Sequence, residues 1–182
     1  MKRTLILLSA LFFIACGGGN EADPKETSLD DQAQERIELI TEMEETVAAD
    51  KARQDVESRQ RLLVAYADFA NKFNQNSMTP EYLFRAGKLA NEMGKSRRAI
   101  EYLTNLHDGF PNYEKRTEAA FLVGFIYENM LNDREMAQRA YEKVIEFYPE
   151  SHWAGEAQAS IELLYLTDEQ KIAKFKKQNQ QE

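Results

Sequence analysis

Leu83-x2-Ala86-Gly87-x2-Ala90, followed by Ala99-x3-Leu103 and Pro111, returns as Ala120-x2-Val123-Gly124-x2-Tyr127, Ala137-x3-Tyr141 and Pro149. The two glycines are 37 residues apart, while Ala99 and Ala137, like the two prolines, are 38 apart. Self-similarity at a fixed period of this size is the mark of a stacked repeat. The residue types have physical reasons. Gly87 and Gly124 remove a side chain where two helices must approach closely, and Ala99 and Ala137 do the same from the partner helix. Pro111 and Pro149 follow Gly109-Phe110 and Phe147-Tyr148 and stop those helices, because proline cannot continue the hydrogen-bond ladder.

The pattern extends in both directions with decay. Upstream, Leu62-x3-Tyr66-x2-Phe69 and Asn74 mirror Ala137-x3-Tyr141-x2-Val144 and Pro149. Downstream, Gln158-x2-Ile161-Glu162-x2-Tyr165 mirrors the first helix of the unit, with Glu162 where glycine stood. These positions resemble the tetratricopeptide repeat, with smaller residues at its tryptophan position and a period longer than its usual one. The resemblance implies an all-α fold, a right-handed superhelix of antiparallel helix pairs. It covers about 62 to 165, a little over half the chain.

Capping signals divide residues 28–178 into about eight helices. Ser28 with Asp31 forms a capping box for an acidic helix to about Ala48, and a second helix runs from about Lys51 to Phe73. Thr79-Pro80-Glu81 supplies a cap, a first-turn proline and a dipole-favourable acid for a helix to about Met93. Gly94 breaks it, Ser96 caps the next to about Asp108, and another runs from about Arg116 to Leu131. Asn132 or Asp133, Ser151 and Thr167 cap the last three, which end near Tyr148, Tyr165 and Lys177. A stacked array needs lids at its ends, and Ile172 with Phe175 one turn on makes the final helix the expected lid. Residues 179–182 form a tail.

The start of the chain is different in kind. Lys2 and Arg3 precede the apolar run Leu5 to Ala15. Its 11 residues rise only about 16 Å as a helix, against the ~30 Å of a hydrocarbon core, so an export signal fits and a membrane span does not. Phe13-Ile14-Ala15-Cys16, then Gly17-Gly18-Gly19-Asn20, resembles the lipobox of bacterial lipoproteins, with Phe13 in place of the usual leucine. That resemblance implies cleavage after residues 1–15, a diacylglyceryl group on the Cys16 thiol and an acylated amino terminus. Several acyl chains anchor firmly where one would not. Residues 16–27 then read as a flexible tether. Gly17, where an inner-membrane retention signal would carry Asp, implies the outer membrane; it does not choose the face, and the periplasmic side is expected ahead of the cell surface.

Composition narrows the function. The 182 residues carry 23 Lys plus Arg against 31 Asp plus Glu, a formal charge of −8. Nucleic-acid phosphates need a basic face, so that partner class is not expected. One cysteine and two histidines exclude a disulfide framework and multi-cysteine metal sites. No GxSxG, HExxH, CxxC or phosphate-loop motif occurs, so no catalytic residue, metal ligand or cofactor site is assigned, and the acyl groups on Cys16 are the expected covalent additions. His152, just after Ser151, reads as packing at a helix start, and His107 as a solvated helix end.

Binding is the remaining reading. On the first helix of each pair one stripe runs beside the packing stripe: Glu81, Phe84, Lys88 and Asn91; Glu118, Phe121, Phe125 and Glu128; Glu156, Ala159, Leu163 and Leu166. In tetratricopeptide proteins this stripe lines a concave groove that holds a peptide or partner helix, which the resemblance implies here. Glu81, Glu118 and Glu156 would form an acidic ladder. Phe84, Phe121 and Phe125 either line the groove or fill the core between repeats.

The chain is therefore expected to be a lipid-anchored, non-catalytic scaffold or adaptor between envelope proteins. It resembles the repeat lipoproteins of outer-membrane barrel assembly and the repeat proteins of the Tol–Pal division system. Its contact with the membrane would be through the anchor alone. Two alternatives differ in class: a lipid-anchored solute- or lipid-binding protein with a closed apolar cavity, or a structural oligomer through the acidic first helix, whose Ile37, Ile40, Met43 and Val47 form an apolar stripe.

Overall fold

The computed structural model describes residues 28–50 and 55–178, which form helices and no strand. Cys16, the signal segment, the tether and the tail at 179–182 lie outside the described residues. The elements are α1 (Leu29–Ala49), α2 (Val56–Lys72), α3 (Thr79–Glu92), α4 (Ser96–Gly109), α5 (Arg116–Asn129), α6 (Arg134–Phe147), α7 (His152–Leu164) and α8 (Asp168–Gln178). Each helix from α1 to α6 packs on the next, and α5 also touches α7, so α1 to α7 form a stack of antiparallel helices. Among the described residues no helix is long and apolar enough to cross a membrane.

The capping residues explain most boundaries. Ser28 Oγ accepts from the Asp31 amide at 3.1 Å, and Asp31 returns a bond from the Ser28 amide. Asp133 and Ser151 accept from the amides of Met136 and Ala154, at 3.0 and 3.1 Å. Thr167 and Gln170 close a reciprocal box at the start of α8. These carbonyl-like or hydroxyl oxygens satisfy first-turn amides that a helix cannot pair internally. Gly94, at φ 70°, ends α3 in a left-handed turn, with Lys95 N–H donating to Ala90 and Gly94 N–H to Asn91. That pair of bonds is a Schellman cap, which a residue with a Cβ enters only under strain.

Two expected caps are displaced. Thr79 and Ser96 are the first helical residues rather than N-caps, which fall to Met78 and Lys95 with no side-chain bond. Thr79 is buried, and its hydroxyl instead donates backward to the Phe73 carbonyl at 2.6 Å, tying α3 to the end of α2.

The repeat glycines sit at the helix crossings. A Cβ on Gly87 would lie 2.6 Å from Leu103 Cγ, and one on Gly124 2.6 Å from Tyr141 Cδ1 and Cε1. Ala99 and Ala137, on the facing helices, are wholly buried. Around these crossings lie two apolar clusters, one spanning α1 to α5 and the other joining α5, α6 and α7 through Phe121, Tyr141, Val144 and Leu164. The apolar stripe of α1 is consumed here. Ile40 is fully buried and Ile37, Met43 and Val47 pack on the first cluster, so association through that stripe is closed. At the other end Ile172 is 53% exposed, and α8 does not bury it as a lid would.

Candidate functional site

α1 and α3, both packed on α2, border a groove of about 400 Å³, and its lining includes Glu81, Phe84 and Lys88 from the predicted stripe. Its floor is apolar: Leu62, Phe84 and Leu89 are buried there. Its wall is a chain of charge-assisted bonds. Glu44 Oε1 accepts from the Tyr66 hydroxyl and from an Arg85 amino group, both at 2.6 Å. Arg85 Nε donates to Glu81 Oε1 at 2.6 Å, and Glu81 Oε2 accepts from Lys115 Nζ at 2.8 Å and from the Tyr113 hydroxyl. Arg59 donates to Glu92 at 3.2 Å from the α2 side.

The electrostatics follow from this wiring. Burial would raise the Glu81 carboxyl, but the donors Lys115, Tyr113 and Arg85 outweigh it and hold the group down at about 2. Burial and the Glu44 carboxylate push the Tyr66 hydroxyl up, and burial with Glu81 does the same to Tyr113. Glu81 is thus a spent charge, bound on both oxygens, and not the first rung of a free acidic ladder. The groove lining carries Arg59, Arg85, Lys88 and Lys115 against Glu44, Glu81 and Glu92, so its balance is slightly cationic. Lys88 has no ion pair among the described residues, and its ammonium stands 5.5 Å from the centre of the Phe84 ring. Lys115 covers the same ring at 5.3 Å.

The remaining stripe residues do not join this groove. Phe121 is 8% exposed and packs on Tyr141 and Trp153, with ring centres 5.4 and 4.9 Å away. Phe121 is inter-repeat core, and Phe84, at 5% exposed, is core that also floors the groove. Only Phe125, at 39%, presents much surface. Glu128 accepts from the Tyr141 hydroxyl at 2.8 Å and so braces that crossing. Glu118 is half-buried, and Glu156 is exposed beside His152 at 3.7 Å. Asn91 Oδ1 is buried without a hydrogen-bond partner among the described residues. Ala159 is exposed, and Leu163 and Leu166 are half-buried at the far end.

Sequence reasoning missed Glu44, Arg59, Tyr66, Arg85 and Lys115. One of them was legible: Arg85 lies four residues after Glu81 on the same helix face, the spacing of an ion pair. His107 is also corrected. It is not a solvated end, because its Nε2 lies 2.8 Å from the Tyr148 hydroxyl and Arg116 Nε donates to its carbonyl at 2.7 Å. It ties the end of α4 to α5 and to the end of α6.

Residues 81–113 and 118–151 match the tetratricopeptide repeat, so the α3–α4 and α5–α6 pairs are two such repeats within an all-α stack. Among solved structures the chain is similar to one described as the crystal structure of MamA, at 21% identity and a TM-score of 0.43, covering 76% of this chain and 83% of that one. No curated protein matches the chain.

Proposed function

We propose that this chain is a lipid-anchored scaffold of the bacterial cell envelope, tethered through Cys16, which holds a segment of another envelope protein in the groove between α1 and α3. Tetratricopeptide repeats generally serve protein–protein contact, and the lining of this groove supports that use here. Buried Leu62, Phe84 and Leu89 offer an apolar floor, and the fixed ion pairs above them hold the rim without needing the ligand. A partner is held by apolar anchors that lose water, while charges at the rim set its orientation and rate of capture. Because Glu81 is already paired and Lys88 is not, the fitting segment carries an aliphatic or aromatic anchor with a carboxylate beside it. That differs from the lysine- or arginine-bearing partner that an acidic ladder would select.

The envelope setting rests on the lipobox-like Ala15-Cys16 and the short apolar run before it. A photo-crosslinking residue at Lys88 or Val47, introduced into the full chain in intact cells, tests the groove. The expected result is capture of one envelope protein from both positions and not from exposed Glu146 on α6. Equal capture from Glu146, or none from Lys88 and Val47, would sink the groove assignment.

A further inference from the structure

A second groove lies between α4 and α6, with α5 as its floor, and has a volume of about 490 Å³. Ile100 and Phe147, the latter 59% exposed, stand on its walls, and Val123 and Tyr127 on its floor. A separate shallow hollow lies at the N-terminal end of α4 and includes exposed Met130 and Leu131. The α4–α6 groove is lined by Arg139 and Lys143, with Asp108 as its single carboxylate, and the separate hollow carries Lys95, Arg97 and Arg98. On a chain of net charge −8 this is a local reversal of sign. Arg139 reaches Glu135 at 3.7 Å, and the other four cations have no ion pair among the described residues.

The complement is on the same chain. Asp31, Glu35, Glu38, Glu42 and Glu45 recur at three- and four-residue steps, which puts them on one stripe of α1. That stripe is opposite the buried face of Ala33 and Ile40, and all five acids are exposed. No ion pair neutralises them among the described residues. Leu39, 43% exposed, lies beside the stripe and supplies an apolar contact. At about 1.5 Å per residue the 21 residues of α1 span about 31 Å, enough to cover the about 21 Å of the 14-residue helices α4 and α6.

We propose that the α4–α6 groove receives the acidic outer face of α1 from a second copy of this chain, so that copies associate head to tail. α1 packs on α2 within its own chain and presents this face only outward, so the contact is between copies. The two surfaces differ, which makes the interface heterologous and allows a ring or an open row. A flat anionic bilayer does not reach the recessed Val123 and Tyr127, whereas a helix does. The α4–α6 groove shares no lining residue with the α1–α3 groove, so this proposal stands or falls separately from the partner site.

Two tagged forms of the full chain, co-expressed, test it, one of them carrying a photo-crosslinking residue at exposed Gln34. Irradiation is expected to join the two forms, with the linked peptides mapping to α4 or α6. Glu38→Lys with Glu42→Lys on the crosslinking copy is expected to cut that yield about tenfold, as is Arg139→Glu with Lys143→Glu on the other. Combining the two reversals is expected to restore it to within about twofold, because the charges are again complementary. All four positions are exposed, so folding is not at stake. No link between copies, links that map elsewhere, reversals without rescue, or links only to another protein or to lipid would each overturn the proposal.

Discussion

Gly124 faces the Tyr141 ring so closely that a Cβ on the glycine would sit 2.6 Å from two ring carbons. The ring cannot retreat, because its hydroxyl is held by Glu128 at 2.8 Å and its face lies against Phe121. Gly124→Ala is therefore expected to cost about 1–3 kcal/mol, although alanine is the better helix former. Gly155 supplies the control, since nothing lies within 4 Å of its Cβ position. Gly155→Ala is expected to gain about 0.5–1 kcal/mol from helix propensity. Denaturant melts of both variants check the pair, and equal effects would mean that α5 and α6 are not in close contact at this point.

Phe121 and Phe125 share a helix and a residue type, yet only Phe121 is enclosed, by Tyr141 and Trp153. Phe121→Ala is expected to lower stability by about 3–5 kcal/mol, the usual cost of emptying an aromatic site. Phe125→Ala, at a position 39% exposed, is expected to change it by less than about 1 kcal/mol. Thermal melts followed by circular dichroism separate the two. Comparable losses would place Phe125 in the core as well.

How much of this was legible depends on the range of each interaction. Gly87, Gly124, Ala99 and Ala137 could be read because a crossing repeats at every unit and its residue type has one purpose. Ser28, Ser151 and Thr167 could be read because a cap bonds three residues away, and of the two candidates Asn132 and Asp133 the structure selects Asp133. Thr79 and Ser96 could not, because a hydroxyl beside a helix start looks the same at the cap and one residue inside. The wall of the α1–α3 groove was hidden for another reason. Glu81 meets Tyr113 and Lys115 at separations of 32 and 34 residues, and Arg85 meets Glu44 at 41, distances that no periodic pattern encodes.

Cys16 lies outside the described residues, and its chemistry is separable from the fold. If its thiol is acylated, Cys16→Ala is expected to abolish incorporation of labelled fatty acid and to block cleavage before residue 16. Metabolic labelling with fractionation checks this. A variant that still matures and stays membrane-bound without label would remove the anchor from the proposed function.

Glu81 gives the groove a pH signature. Its folded carboxyl stands at about 2, below the ordinary value of 4.5, because Lys115, Tyr113 and Arg85 favour the charged form more than burial opposes it. A carboxylate lowered on folding binds fewer protons folded than unfolded. Its contribution is therefore complete above about pH 4.5 and is lost as pH falls toward about 2. Exposed Asp55, Glu162 and Glu169 are also lowered, so the acid limb of the intact chain is a composite. Glu81→Gln isolates one part of it. The variant is expected to be less stable at neutral pH, by an upper bound of about 3 kcal/mol, and the difference from the unmodified chain should shrink between pH 4.5 and 2. Lys115→Met removes one donor and is expected to reproduce part of the effect, because the carboxylate then keeps only Arg85 and Tyr113. Melting temperatures across that range decide it. A difference that stays constant with pH would show that the Glu81 side chain contributes by packing and not by its charge, and Lys115 would then be free to meet a partner's carboxylate.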